Sequence, residues 1–138
     1  MDKRQLVEAA LAARGNAYAP YSHFQVGAAL LAEDGTVYTG CNVENASYGA
    51  AICAERTALV KAVSQGARRF TALAVVGGRE GQAVEETPPC GICRQVMAEF
   101  CGPSFRIFLA SSPDQIVEYT LGQLLPEAFS GEALAERK

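Results

Sequence analysis

CAERTALVKAVSQGARRFTALAVVGG, residues 53–78, and PPCGICRQVMAEF, residues 88–100, decide the fold, because together they read helix, strand, helix. Residues 53–65 form the first helix, with Gly66 as its stop. Residues 70–77 are an apolar run of strand length that closes on Gly77-Gly78. Residues 90–100 read as a second helix opened by Pro88-Pro89, since proline suits a first helical turn whose N–H groups have no partner anyway.

Outward from this centre, 105–110 is another short apolar run, 116–119 a final strand and 121–125 a short helix, with a frayed tail expected beyond Phe129. Toward the N-terminus, residues 2–14 place Leu6, Val7, Ala10 and Leu11 at helical spacing, with Arg14 beside them and Gly15 as the stop. A polar, proline-punctuated loop spans 17–24. Residues 25–32 read as a buried strand, Glu33-Asp34-Gly35 as a hairpin turn and 36–40 as the return strand. The stretch 42–51, rich in Asn, Gly and small residues, suits a binding loop, and 79–86 is polar loop. The hairpin is antiparallel; the later strands, separated by helices, imply crossover connections and parallel pairing. The expectation is one α/β domain over residues 1–138, a three-layer α/β/α sandwich around a five-stranded mixed sheet. In such sheets reactive groups collect beyond the strand ends, where helix N-termini also point.

A chain of 138 residues buries enough surface to be stable without disulfides. Its net charge of -3 argues against nucleic acid as the main ligand, which calls for a basic face. No apolar run approaches the roughly 20 residues that span a bilayer. MDKRQLVEAALAARG carries charges throughout and no secretory apolar core, so a cytoplasmic location with no membrane partner is expected. Five cysteines, an odd number with one C-x-x-C pair, then favour metal binding or redox work over a disulfide framework.

Cys53, Cys90 and Cys93 lie at the openings of the two central helices. Helix N-termini carry partial positive charge and favour thiolate, so two such starts side by side could present three thiolates to one ion. Zinc takes thiolate sulfur, and three protein ligands leave the fourth position open to water. Zinc with three thiolates has a formal charge of -1, which the helix dipoles and hydrogen bonds from Arg56 to a sulfur would draw down. Glu55 beside the metal could move a proton between water and a leaving group. On a regular helix i and i+2 diverge, so Cys53 must lie at or just before the first turn.

C-x-x-C alone fits a structural zinc knuckle or a redox pair as well as it fits a catalytic site. Cys53 with Glu55 two residues on tilts the reading toward catalysis. A closed site needs a fourth ligand; Cys41 follows a strand and Cys101 ends a helix about three turns from Cys90, so both read as small inert thiols. His23 reads as an ordinary loop side chain. Taken singly, Glu44 reads as a solvated carboxylate, Asn42 as turn chemistry, Phe24 as core, Tyr48 and Phe129 as unremarkable aromatics, and Arg94 and Gln95 as satisfying local carbonyls.

The pairing C-A-E-R with P-C-x-x-C-R-Q resembles the zinc deaminase superfamily. Tyr18-Ala19-Pro20-Tyr21-Ser22, Phe24-Gln25-Val26-Gly27-Ala28, Gly40-Cys41-Asn42-Val43-Glu44-Asn45, and Leu124-Leu125-Pro126 with Phe129 resemble the homotetrameric cytidine deaminases. The resemblance runs from about Leu6 to Ser130, and the F-x-V-G-A and N-x-E-N segments narrow it to the nucleoside branch. It implies a cytidine deaminase-like fold and zinc-dependent hydrolytic deamination of free cytidine and deoxycytidine in pyrimidine salvage. It further implies one Zn2+ per subunit on Cys53, Cys90 and Cys93, with Glu55 as proton shuttle. Phe24 would pack near the pyrimidine, Asn42 and Glu44 would bind the ribose 3′-hydroxyl, and the Ala54 N–H would meet the base carbonyl. A homo-oligomer, a tetramer, is implied, with Ala46, Tyr48 and Phe129 completing a neighbour's pocket. Ile92 departs from the small residue common between the two ligands. The rival readings are a blasticidin-type aminohydrolase, against which N-x-E-N argues, and a non-catalytic structural zinc protein, which has no use for Glu55.

Overall fold

The computed structural model describes residues 1–134. Helix α1 (Lys3–Arg14) starts at Asp2, whose carboxylate accepts from the Gln5 N–H while Gln5 accepts from the Asp2 N–H, a reciprocal capping box. It buries Leu6, Val7, Ala10 and Ala13 along one stripe. Strands β1 (Phe24–Ala32) and β2 (Val37–Cys41) form a hairpin, and a single 3₁₀ turn, Tyr48–Ala50, interrupts the connection to helix α2 (Ala54–Ser64). Strand β3 (Phe70–Arg79), helix α3 (Gly91–Phe100), strands β4 (Arg106–Ser112) and β5 (Gln115–Thr120), and helices α4 (Leu121–Leu124) and α5 (Gly131–Leu134) follow.

The sheet has five strands in the order β2-β1-β3-β4-β5. Alternation along β3 divides the core. Leu73 and Val75 face α2 and α3, together with Leu30, Leu59, Met97, Ile107 and Leu109. Ala72, Ala74 and Val76 face α1, together with Leu6, Val7, Ala10 and Phe108. The three expected layers are therefore present.

The expectation of parallel pairing holds only for β3 with β4. Strand β3 pairs antiparallel with β1 on its other side, and β4 pairs antiparallel with β5 across a tight turn at Pro113-Asp114. Helix α2 does return the chain parallel to β2, but β1 stands between them. Strand β1 is apolar on both faces, with Ala28, Ala29 and Leu30 all buried, so it belongs in the sheet interior. Strand ends also shift: the ladder carries β3 to Arg79 and β4 to Ser112. Where a frayed tail is expected beyond Phe129, the short exposed helix α5 begins at Gly131; the rest of that stretch, 135–138, lies outside the described residues.

Both helical layers rest on glycines of the hairpin. A Cβ on Gly27 would strike the backbone of α1 at Ala10 and Arg14, and one on Gly40 would lie 2.5 Å from both the Ala54 oxygen and the Ala58 nitrogen of α2. Arg14, which sequence periodicity leaves at the margin of the apolar stripe, crosses to the sheet instead. Its guanidinium donates to the carbonyls of Gln25, Gly78 and Arg79 at 2.9–3.0 Å. Gly40→Ala is expected to cost about 1–3 kcal/mol of stability. It should also lower zinc content, because α2 carries Cys53 at its start; differential scanning calorimetry and metal analysis read the two effects.

Candidate functional site

Cys53 and Cys90 are the N-cap residues of α2 and α3, with extended backbone (φ -73°, ψ 156° and φ -68°, ψ 167°). This meets the requirement that i and i+2 could not otherwise satisfy: Cys53 precedes the helical turn on which Glu55 rides. Neither thiol is spent on capping its own helix. Cys93 sits one turn into α3. Cys90 Sγ lies 3.5 Å from Cys93 Sγ and 3.6 Å from Cys53 Sγ, and all three sulfurs fall within 4.8 Å of one another. Among the described residues no further His, Cys, Asp or Glu joins this group.

Both helix starts open at the same end of the sheet. Cys41, ending β2, is paired with Gly27 near the start of β1, and Phe24 is paired with Arg79 at the end of β3. The carboxyl ends of β2 and β3 therefore flank the start of β1, and the loops leaving them lead into α2 and α3.

Charge is shared unevenly among the thiols. The neighbouring Cys93 thiol, followed by the hydrogen bond from the Arg56 guanidinium, pulls the Cys53 thiol down to about 5. Cys93 moves up, because the Cys53 thiol stands beside it and because it is buried. Arg56 donates to Cys53 Sγ at 3.6 Å and to the Ala51 carbonyl at 3.4 Å. Glu55 is 6% exposed, the one buried charged side chain among the described residues. Burial first, then the negative charge of Cys53, pushes its carboxyl up to about 7.

This donor set fits zinc. Tetrahedral Zn–S bonds of about 2.3 Å would set sulfurs about 3.8 Å apart, close to the observed spacing. Thiolates are the soft ligands zinc prefers, and three of them leave one coordination position for a non-protein ligand. Cys41 and Cys101 do not supply a fourth. Cys101 ends α3, and burial pushes its thiol up to about 12, which keeps it protonated and inert.

Ala54, fully buried, is the first residue of α2, so its N–H lies outside the helix's own ladder. Phe24 begins β1 and is half-buried. The Asn42 amide is pinned to β1, accepting from the Val26 N–H at 2.9 Å and donating to the Phe24 carbonyl at 2.8 Å. Glu44 and Tyr48 line a shallow cleft of about 340 Å³ with Tyr21, Ser22, Asn45 and Ala51, and the Tyr21 and Tyr48 rings meet edge to face at 6.1 Å. Ala46 and Tyr48 are exposed, Tyr48 by 77%. Phe129 is likewise exposed, and its backbone carbonyl accepts from Gln95 Nε2 at 2.7 Å.

Arg94 and Gln95 do more than satisfy local carbonyls. Arg94 donates to Pro89, just ahead of Cys90, and also to Leu124, both at 2.7 Å. With Gln95 it straps the C-terminal segment to the helix carrying two of the thiols. Sequence periodicity carries no signal for a contact across thirty residues. His23 stays apart from the thiols, in left-handed conformation (φ 58°), with Nδ1 3.6 Å from a Glu80 carboxylate oxygen. A larger open groove at the far end of α3, lined by Cys101, Pro103 and Pro126, contains none of the three site cysteines.

Comparison with known proteins agrees with this geometry. Residues 1–108 match the family model described as the cytidine and deoxycytidylate deaminase zinc-binding region. The chain is 54% identical to a cytidine deaminase of Sporosarcina psychrophila, over 98% of this chain and 96% of that one. The crystal structure of cytidine deaminase from Burkholderia pseudomallei superposes with a TM-score of 0.85 at 51% identity, over 94% of this chain and 100% of that one. That from Mycobacterium tuberculosis gives 0.80 at 44% identity, over 94% and 98%.

Replacing Arg56 by Gln removes the cation beside Cys53 and is expected to weaken zinc binding about 10- to 100-fold. Competition with a chromophoric chelator measures this; an unchanged affinity would refute the role.

Proposed function

The chain belongs to the cytidine and deoxycytidylate deaminase family, and from that premise we propose that it hydrolyses cytidine and deoxycytidine to uridine and deoxyuridine with release of ammonia, using one zinc ion per subunit. The observation that carries this reading is a buried carboxyl beside three convergent thiols that find no fourth ligand among the described residues. A structural zinc site would be closed by four ligands and would leave Glu55 as a costly buried acid without a task.

Zinc, when bound, supplies the Lewis acidity that makes water a nucleophile near neutral pH. The protein's own groups do the rest. Glu55 takes the proton that water sheds on attacking C4 of the pyrimidine and delivers it to N3. It then takes the second proton from the new C4 hydroxyl and passes it to the exocyclic amine; the C4–N bond breaks as the C4 carbonyl forms, ammonia leaves and the carboxylate is restored. A buried carboxyl whose proton affinity lies near neutrality suits both acceptance and donation. The Ala54 N–H holds the base carbonyl and Phe24 packs against the ring.

On the sugar side, Asn42 keeps one N–H and one lone pair beyond its two bonds to β1, and Glu44 offers acceptors only. Together they suit the 3′-hydroxyl as acceptor and donor. Such a polar pair rejects an analogue lacking the hydroxyl better than an apolar wall does.

The whole chain acts as one catalytic domain, in the cytoplasm and in pyrimidine salvage. Its net charge of -3 suits a free nucleoside better than a polynucleotide. Among the described residues no helix is long and apolar enough to cross a membrane. The exposure of Tyr48, Phe129 and Ile92, at 77%, 61% and 62%, supports a homotetramer in which Ala46, Tyr48 and Phe129 complete a neighbour's pocket. Sedimentation equilibrium should give four chains per particle; a monomer that turns over cytidine would remove this part of the reading.

Glu55→Gln is expected to retain fold and zinc but to lose about 10²- to 10⁴-fold in turnover, read as the ultraviolet change of cytidine deamination. In the same assay the unaltered protein should convert both nucleosides and leave free cytosine untouched. A near-normal rate for the variant would sink the proton-shuttle scheme.

A further inference from the structure

Ser22 has no role in the scheme above, yet it joins two residues that do. Glu44 Oε1 accepts from the backbone N–H groups of Tyr21 at 3.0 Å and Ser22 at 3.1 Å, and Glu44 Oε2 accepts from the Ser22 hydroxyl. The oxygen of that hydroxyl accepts in turn from the Phe24 N–H at 3.1 Å. The Glu44 backbone is itself anchored, its N–H donating to the Tyr18 carbonyl at 2.8 Å.

Donor and acceptor counting gives this arrangement its meaning. A hydroxyl has one hydrogen, and that of Ser22 goes to Glu44, with the Phe24 N–H fixing its direction. An ionised carboxylate has about four acceptor positions, and three are filled by Tyr21 and Ser22. These hydrogen bonds, that of the Ser22 hydroxyl foremost, hold the Glu44 carboxyl below its ordinary value and so keep it ionised. One acceptor position remains, on Oε2, and Glu44 lines the cleft together with Tyr21, Ser22 and Tyr48.

We propose that Ser22 is a positioning residue for sugar specificity, clamping Oε2 of Glu44 so that its single free acceptor position meets the 3′-hydroxyl of the nucleoside in a fixed direction. The proposal rests on the reading of Glu44 as the sugar contact. A Ser22 that merely closed the loop would affect stability and leave sugar discrimination alone. As a positioning residue it acts on the sugar and leaves the chemistry at the base unchanged.

The test uses the zinc-loaded enzyme with cytidine and 3′-deoxycytidine. Ser22→Ala should raise KM for cytidine about 5- to 20-fold with kcat changed less than about 3-fold, while KM for 3′-deoxycytidine moves less than about 2-fold. Ser22→Thr, which keeps the hydroxyl, should restore discrimination between the two substrates, and Ser22→Cys, a similar shape with a weak donor, should reproduce the alanine result. Glu44→Gln separates the two layers of the argument. If it abolishes the preference for cytidine while Ser22→Ala leaves that preference intact, or raises both KM values equally, the role of Ser22 is overturned and that of Glu44 stands. If Glu44→Gln leaves the preference intact, the sugar reading of Glu44 falls and takes the proposal with it.

Discussion

Three sulfurs held 3.5–3.6 Å from their neighbours cannot all be negative unless positive charge faces them. At an effective dielectric of about 20, two thiolates at that distance repel by roughly 5 kcal/mol. The same crowding moves the thiols in opposite directions, Cys53 down and Cys93 up. With zinc in place all three can be thiolate. What makes the cluster tolerable is the meeting of two helix N-termini and the Arg56 guanidinium at one point. The rest of the fold serves to hold those two helix starts together.

The sheet does so through its central strands. Strand β1 pairs with β2 on one side and β3 on the other, so the chain leaves β2 and β3 at the same edge and enters α2 and α3 from there. Gly40 lets the first turns of α2 lie directly on β2. Arg94 then binds the approach to α3 and the C-terminal segment to one side chain. A shift in α3 would therefore be felt at the thiols and at the segment bearing Phe129 alike.

The proposed sugar-side residues are wired by the same economy of backbone contact. Asn42 completes the hydrogen bonding of β1 at Phe24 and Val26, and Ser22 links the Phe24 N–H to Glu44. Taken singly these residues read as turn chemistry and solvated polar groups, and each does make local backbone bonds. Those to Asn42 and Glu44 connect residues brought together by the pairing of β1 with the end of β2 and by the bridge between Tyr18 and Val43. Short polar side chains have no periodicity in a sequence, so a network of this kind cannot be seen along the chain.

The sequence by itself determined the order of helices and strands, the three-layer architecture and the three cysteines whose sulfurs converge. Periodicity records which face of each element is buried, and i to i+2 geometry forces Cys53 ahead of its helix. The tertiary structure alone decided that β1 lies between β2 and β3, that Arg14 and Arg94 reach across the fold to distant carbonyls, and that Ser22 meets Glu44. Strand neighbours are chosen by competition among apolar edges far apart in sequence. Long polar side chains bind whatever carbonyl the finished packing leaves within reach, and neither outcome leaves a local pattern in the chain.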